Sequence, residues 1–164
     1  MTANSKPILA VTMGDPAGSG PEILAKVVSS KAVQDLANIV CIGDAKSMER
    51  AFHIIDQPYP IRRIDEVEEA RYEPGVLDVL DLKNVAHGDL VIGQVQASAG
   101  QAAYEYIIRA IDLALDKKVA AVVTSAINKE SLHLAGHKYD GHTEILAIRT
   151  GAKSVAAMLA AGDF

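Results

Sequence analysis

The segment that follows the apolar run 119–123 carries the side chains best suited to chemistry. Hydroxyl and amide side chains come directly after that run and lead to Lys129, and a glycine then introduces His142 and Thr143. In an open parallel sheet, ligands bind beyond the carboxyl ends of the strands, where polar loops meet the starts of helices. A lysine, a histidine and a threonine at such a place predict a site that binds an anion and handles a proton.

Two of these side chains have two interpretations each. Lys129 can clamp a phosphate or carboxylate, or it can be a solvated lysine at the start of a helix; a lysine is mildly unfavourable there, which favours the ligand role. The imidazole of His142 can bind a hydroxyl or a phosphate of a substrate. Alternatively, His142 is incidental to a turn that caps a helix.

A glycine-rich loop, residues 13–20, is the second candidate, because it lies between a predicted strand and a predicted helix. Backbone N–H groups in that position can meet a phosphate. The loop matches neither G-x-G-x-x-G nor the Walker lysine motif, so a tight turn without a ligand is the alternative. The loop residues expected near a ligand cleft are Gly14, Asp15, Gly18 and Gly20.

His133 and His137 are four residues apart, a spacing that places two zinc ligands on one face of a helix. However, Gly136 weakens that helix, and no glutamate lies between the two histidines. We therefore expect them, like His87, to be surface residues rather than metal ligands.

The elements that must position these residues follow from the hydrophobic periodicity. Apolar runs predict strands at residues 8–12, 39–42, 76–81, 119–123 and 154–161, and helical spacing predicts helices at residues 22–30, 45–52, 98–115 and 145–148. Ser19 and Thr143 are predicted helix caps, and residues 56–74 a charged, irregular stretch. Strands that alternate with helices predict an α/β fold with a mostly parallel sheet and helices on both faces.

Composition narrows the class of protein. The 164 residues are 49% hydrophobic and 23% charged, which is typical of a globular domain with a sizeable core. The formal net charge of −5 argues against a nucleic-acid or anionic-membrane partner. No signal peptide or apolar membrane span is seen, and the single cysteine, Cys41, is expected to pack as a small hydrophobe. These features predict a cytoplasmic protein.

Three segments resemble one enzyme family. They are residues 11–22 (VTMGDPAGSGPE), 127–130 (INKE) and 134–146 (LAGHKYDGHTEIL), and their order and spacing are similar to those of the 4-hydroxythreonine-4-phosphate dehydrogenase family, which includes enzymes for 4-phospho-threonate and 4-phospho-erythronate. The glycine loop also resembles a longer version of the loop in isocitrate and isopropylmalate dehydrogenases. The resemblance implies their fold, with two α/β domains around a cleft, and a homodimer.

The resemblance further implies the reaction. It implies NAD-dependent oxidation of a secondary alcohol in a 4-phosphorylated hydroxy acid, such as 4-hydroxythreonine 4-phosphate or 4-phospho-threonate, and loss of CO₂ from the resulting 3-keto acid. A divalent metal (Zn, Mg or Co) would polarise the hydroxyl. The matching segment assigns substrate binding to His142 and Thr143. The family's metal-binding histidines lie beyond residue 164, so we expect no metal ligand in this chain.

The chain differs from the family pattern at two positions, and it is shorter than the family's proteins. Ala126 stands where the family usually has proline, and Ser19 where it has an apolar residue. We expect residues 1–126 to form a first domain, incomplete without further chain, and residues 127–164 to begin a second. The chain would then be a truncated, amino-terminal half of such a dehydrogenase, inactive alone. The alternatives are a non-enzymatic folded remnant that acts as an interaction module, and a phosphate- or nucleotide-binding module built on the glycine loop.

Overall fold

The computed structural model describes residues 6–160. Its strands are β1 (Ile8–Thr12), β2 (Asn38–Gly43), β3 (Ile61–Ile64), β4 (Leu77–Asp81) and β5 (Ala121–Val123). Its α-helices are α1 (Gly20–Val28), α2 (Lys31–Leu36), α3 (Ala45–Ile54), α4 (Ala97–Leu115), α5 (Lys129–Leu134) and α6 (His142–Thr150), and a 3₁₀ turn covers Val67–Glu69. The strands form one sheet in the order β3-β4-β2-β1-β5, and every pairing is parallel.

Helices cover both faces of the sheet. The connection from β1 to β2 runs towards one edge, and the connection from β4 to β5 runs towards the other. Because such crossovers are right-handed, α1 and α3 lie on one face, where they pack on each other, and α4 lies on the opposite face against β1 and β2. The predicted α/β class, with a parallel sheet between helices, is confirmed.

The core lies where the central strands are covered from both sides. Val40, Cys41 and Ile42 of β2 are fully buried, as are Tyr106 and Ile107 of α4. Strands buried on both faces read as continuous apolar runs, which is why the sequence predicted them well. Burial raises the pKa of the Cys41 thiol, so this cysteine packs as an inert hydrophobe, as predicted. Within residues 6–160, no helix is long and apolar enough to cross a membrane.

The irregular stretch predicted at residues 56–74 is wrong in one respect, because it contains edge strand β3. Its Arg62 donates to the buried carboxylate of Asp78 at 3.0 Å, and its Arg63 donates to Glu49 at 2.7 Å. Charged side chains are frequent on edge strands, where they discourage pairing with other chains. Arg62 and Arg63 are therefore the charges of a paired strand edge, whereas the acidic residues of 65–69 are exposed.

The strand predicted at residues 154–161 is also wrong for the residues that the structure describes. Residues 152–160 have no regular structure and are exposed, with Met158 at 89%. A strand needs a neighbour to receive its backbone hydrogen bonds, and none of the described strands lies beside this segment. Ala161 falls outside the described residues.

Both predicted side-chain caps are wrong as well. Ser19 stands at the N-cap of α1, but its side chain makes no capping hydrogen bond. Helix α6 begins at His142 with Gly141 as its N-cap, so Thr143 lies inside the first turn. The backbone N–H groups at the start of α6 are thus left without a side-chain cap.

Candidate functional site

The predicted site lies where the direction of the connections reverses. β1 lies between β2 and β5 in the sheet. The connection that leaves β1 runs towards the β3 edge, whereas the connection that leads to β5 runs towards the opposite edge. Open α/β sheets bind ligands at such a switch point, beyond the carboxyl ends of the strands. The loops after β1 and β5 meet there, because the N–H of Asp15 donates to the carbonyl of Ala126 at 3.0 Å.

Glycines allow this close approach. Gly14 has φ +81°, and a Cβ at this position would overlap the carbonyl oxygen of Ala126. A Cβ at Gly20 would lie 2.5 Å from the carbonyl oxygen of Met13. The predicted glycine loop is therefore folded tightly against the connection between β5 and α5.

Two N–H groups of the glycine loop bind Asp15 of the same loop. The N–H of Ala17 donates to Asp15 Oδ1 at 2.7 Å, and the N–H of Gly18 donates to the Asp15 carbonyl at 3.0 Å. The Asp15 carboxyl is 3% exposed, and burial raises its pKa although these hydrogen bonds oppose the change. A carboxylate already stands where a phosphate would meet the loop, which argues against a phosphate-binding module built on the loop alone.

Ser131, which the sequence analysis missed, connects this loop to α5. It is fully buried, and its side chain acts against the effect of burial by lowering the pKa of the Asp15 carboxyl. Its hydroxyl also accepts from the N–H of Gln96 at 3.2 Å. Asn128 Oδ1 accepts from the Ser131 N–H at 2.9 Å, the hydrogen bond of an asparagine N-cap. The spacing of an asparagine three residues before a serine was the signal that could have found it.

A cavity of about 240 Å³ opens between these segments. A third segment closes it, the β4–α4 loop of residues 82–96, whose Gly93 N–H donates to the Ala17 carbonyl at 2.8 Å. The lining residues come from all three segments and are Asp15, Ala17, Gly18, Ser19, Gly93, Gln94, Val95, Ala126, Ile127 and Asn128. The structure thus brings the predicted glycine-loop residues Asp15 and Gly18 to one cavity with the β5–α5 connection.

His87 helps to hold the β4–α4 loop and is not the surface residue that was predicted. Its imidazole is 21% exposed, and its Nε2 lies 2.9 Å from Oδ1 of the buried Asp44. This distance allows an ion pair when the imidazole is protonated, although the approach is poor for a hydrogen bond. Asp44 already caps α3 by accepting from the Ser47 N–H at 2.7 Å.

The three predicted substrate-binding residues all stand at helix starts beyond β5. Lys129 is the first residue of α5 and is exposed, and no hydrogen bond or ion pair of its side chain is found within residues 6–160. His142 is the first residue of α6 and is half-buried, and Thr143 follows it in the same turn, exposed.

The surroundings of His142 define its protonation. Burial lowers the pKa of His142 and outweighs the opposite effect of the Ser125 backbone, so the neutral imidazole is favoured. Its Nε2 is buried and makes no hydrogen bond among the described residues. A neutral imidazole has one N–H donor and one acceptor nitrogen. His142 therefore has a ring nitrogen available to a ligand, at a helix N-terminus that favours negative charge.

This arrangement makes the stability of the chain depend on pH. Because the folded-state pKa of His142 is lower than that of the unfolded chain, about 6.5, the unfolded state binds its proton more readily. The contribution of the neutral ring is complete above that value and is lost as the pH falls towards the folded-state pKa. We expect His142→Gln to flatten this part of the stability curve, measured by urea unfolding between pH 7.5 and 5. An unchanged slope would contradict the assignment.

His133 and His137 do not share a helix face. Helix α5 ends at Leu134, so His137 lies beyond it. His133 Nε2 is 3.1 Å from the Tyr139 carbonyl oxygen, and His137 makes a separate contact with α4. Among the described residues, no group of three or more His, Cys, Asp or Glu side chains is arranged to hold a metal ion.

Comparison with known proteins identifies the family. The sequence profile of the family described as "Pyridoxal phosphate biosynthetic protein PdxA" matches residues 35–164. The chain belongs to the PdxA family. This agrees with the resemblance drawn from residues 11–22, 127–130 and 134–146.

Relatives within the PdxA family have dehydrogenase names. The chain is 49% identical over 138 residues to a putative D-threonate 4-phosphate dehydrogenase of Fusobacterium nucleatum, covering 84% of this chain and 42% of that protein. It is 41% identical over 155 residues to the D-threonate 4-phosphate dehydrogenase of Cupriavidus necator, covering 94% and 46%. The crystal structure of a 4-hydroxythreonine-4-phosphate dehydrogenase from Burkholderia phymatum matches with a TM-score of 0.92 and 47% identity, covering 96% and 48%. The chain thus spans about half the length of these relatives.

Proposed function

We propose that this chain supplies one wall of the active site of an NAD-dependent dehydrogenase that oxidises a secondary alcohol in a 4-phosphorylated hydroxy acid. The resulting 3-keto acid would then lose CO₂. The observation that carries the proposal is the buried, unpartnered Nε2 of His142 at the start of α6. The names of the relatives supply the substrate class: two are named for D-threonate 4-phosphate, and the crystal structure is named for 4-hydroxythreonine 4-phosphate.

Each predicted residue receives a role in this proposal. His142 Nε2 accepts a hydrogen bond from the substrate and thereby orients it. Lys129, an exposed cation at the start of α5, binds the phosphate or the carboxylate. The Thr143 hydroxyl and the uncapped N–H groups of α6 supply further donors to the same anion. Gly14, Asp15, Gly18 and Gly20 hold the cleft in shape and do not bind the phosphate themselves.

The cofactors are proposed from the family resemblance. NAD would accept the hydride when bound, but the cavity of about 240 Å³ is smaller than the roughly 300–1,000 Å³ of typical small-molecule sites. The described residues therefore do not enclose a dinucleotide, and they do not form a site for a Zn, Mg or Co ion.

The domain division is proposed as well, with residues 1–126 in a first domain and residues 127–164 at the start of a second. Its support is that α5 and α6 pack on α4 rather than on the sheet, while the apolar residues 152–160 are exposed. A homodimer is proposed from the resemblance to isocitrate and isopropylmalate dehydrogenases, and a cytoplasmic location from the composition of the chain.

Titration of the purified chain with D-threonate 4-phosphate tests the proposal, with affinities measured by calorimetry in every protein and contact at the His142 ring observed by NMR in the proteins that retain it. We expect His142→Ala to weaken binding about tenfold, because a hydrogen bond to a charged or strongly polar partner contributes on the order of 1.5 kcal/mol or more. Inorganic phosphate, which has no hydroxyl-bearing carbon chain, should lose less affinity in this variant. Lys129→Met should weaken the binding of both ligands.

His53→Ala is the matched control, since His53 is an exposed histidine of α3. It should leave both affinities unchanged. If the wild-type chain shows no shift at His142 with either ligand, or if His53→Ala and His142→Ala behave alike, the proposed site is wrong.

A further inference from the structure

A continuous chain of hydrogen bonds runs along α4. His137 Nε2 lies 2.7 Å from Gln101 Oε1, and Gln101 Nε2 donates to Glu105 Oε1 at 2.7 Å. The other carboxylate oxygen of Glu105 accepts from Asn84 Nδ2 at 2.6 Å. The Tyr106 hydroxyl donates to Asn84 Oδ1 at 2.8 Å. The chain joins the β4–α4 loop to the turn that precedes α6.

The carboxylate of Glu105 sets the direction of these hydrogen bonds. An ionised carboxylate only accepts, so Gln101 must turn its amide nitrogen towards Glu105 and its oxygen towards His137. The Nε2 of His137 must then carry a proton. At the far end, burial raises the pKa of the Tyr106 hydroxyl, so this group remains a donor.

Aromatic stacking holds the same turn against α4. The ring of His137 stacks on Tyr104 with centroids 3.7 Å apart and an interplanar angle of 17°. Tyr139 also stacks on Tyr104, with centroids 5.9 Å apart and an angle of 8°. Both rings belong to residues 135–141, which end at Gly141, the N-cap of α6. The position of this segment therefore decides where α6 begins.

We propose that His137 is a positioning residue for His142. The carboxylate of Glu105 accepts from both Asn84 and Gln101, and the orientation that it imposes on the Gln101 amide selects the tautomer of His137 that donates to Gln101. This hydrogen bond holds residues 135–141 and the start of α6 in place. The proposal rests on the proposed function in one respect only, that His142 is the substrate-binding residue.

The tautomer of His137 tests the direction of the hydrogen bonds. In Glu105→Gln, the new amide is expected to keep its oxygen towards Asn84 and to present its nitrogen to Gln101. Gln101 then turns over, and His137 Nε2 becomes an acceptor. ¹⁵N NMR of the purified chain should show the proton of His137 on Nε2 in the wild type and mainly on Nδ1 in this variant. Glu130→Gln, the same charge change at an exposed residue of α5, should leave it on Nε2. An unchanged tautomer in Glu105→Gln would overturn the proposal.

The pKa of His142 tests the positioning itself, without any ligand. In His137→Leu, which keeps an apolar contact with Tyr104 but loses the donor, α6 should loosen and the pKa of His142 should rise towards about 6.5. His137→Gln retains an N–H donor for Gln101 and should restore the wild-type value. Gln101→Leu removes the acceptor from the other side and should reproduce His137→Leu. Equal pKa values of His142 in all four proteins would refute the positioning role.

The two proposals fail in different ways. If His142 responds to these variants but the wild-type chain binds no D-threonate 4-phosphate, the positioning role stands and the proposed function falls. If the wild-type chain binds the ligand but the pKa of His142 is the same in all these variants, the proposed function stands and the positioning role falls.

Discussion

Replacing Gly14 with alanine is expected to lower the free energy of unfolding by about 2–5 kcal/mol. A non-glycine residue at a positive φ costs roughly 1–2 kcal/mol, and Gly14 has φ +81°. The new Cβ would also overlap the Ala126 carbonyl oxygen, and relief of such overpacking typically costs about 1–3 kcal/mol. Urea unfolding, fitted for midpoint and slope, measures the loss.

Gly75→Ala separates the two contributions. Gly75 also has φ +81°, but a Cβ there would meet no atom within 4 Å. This variant should lose only the conformational part, about 1–2 kcal/mol. If both variants lose the same amount, the glycine loop does not press against the β5–α5 connection, and the description of the cleft is wrong.

Replacing Gly100 with alanine is expected to affect stability and ligand binding together. On an open helix face, the change would stabilise α4 by roughly 0.5–1 kcal/mol, because alanine favours helix more than glycine does. Here the Cβ would overlap the carbonyl of Ser131 in α5, so α5 must move away. The overpacking cost of about 1–3 kcal/mol should exceed that gain, for a net loss of up to about 2.5 kcal/mol, and binding of D-threonate 4-phosphate should weaken, since α5 carries Lys129.

Ser98→Ala is the control for Gly100→Ala. Ser98 lies on the same helix and is exposed, so its replacement should change stability by no more than about 0.5 kcal/mol. A Gly100→Ala protein that is as stable as the wild type, or more so, would show that the contact between α4 and α5 is looser than described.

The sequence predicted well wherever one local pattern decided the structure. The strands at residues 8–12, 39–42 and 76–81 are apolar runs because helices cover both faces of the sheet. The apolar stripe of α4 repeats at helical spacing over many turns. The resemblance to the dehydrogenase family also rested on short local segments, and the comparisons confirmed it.

It predicted poorly wherever a distant partner decided the structure. The stretch 56–74 was predicted as irregular, but its Arg62 belongs to an edge strand and pairs with Asp78 of the neighbouring strand. Asp15 was predicted near the cleft, but only the structure shows that its carboxylate accepts from the Ala17 N–H. Residues 154–160 have the composition of a strand, but no described strand pairs with them.

By itself, the sequence determined the α/β class, the order of most elements and the stretch of chain beyond β5 that carries Lys129, His142 and Thr143. Periodicity and glycine placement are local properties, and they are enough for that. Only the tertiary structure decided the burial of His142 Nε2, the burial of Asp15 and the hydrogen bonds that lead to His137. Each of these features depends on groups from distant parts of the chain that become neighbours in the folded protein. Those neighbours determine how much water a side chain loses and which of its atoms donate or accept hydrogen bonds.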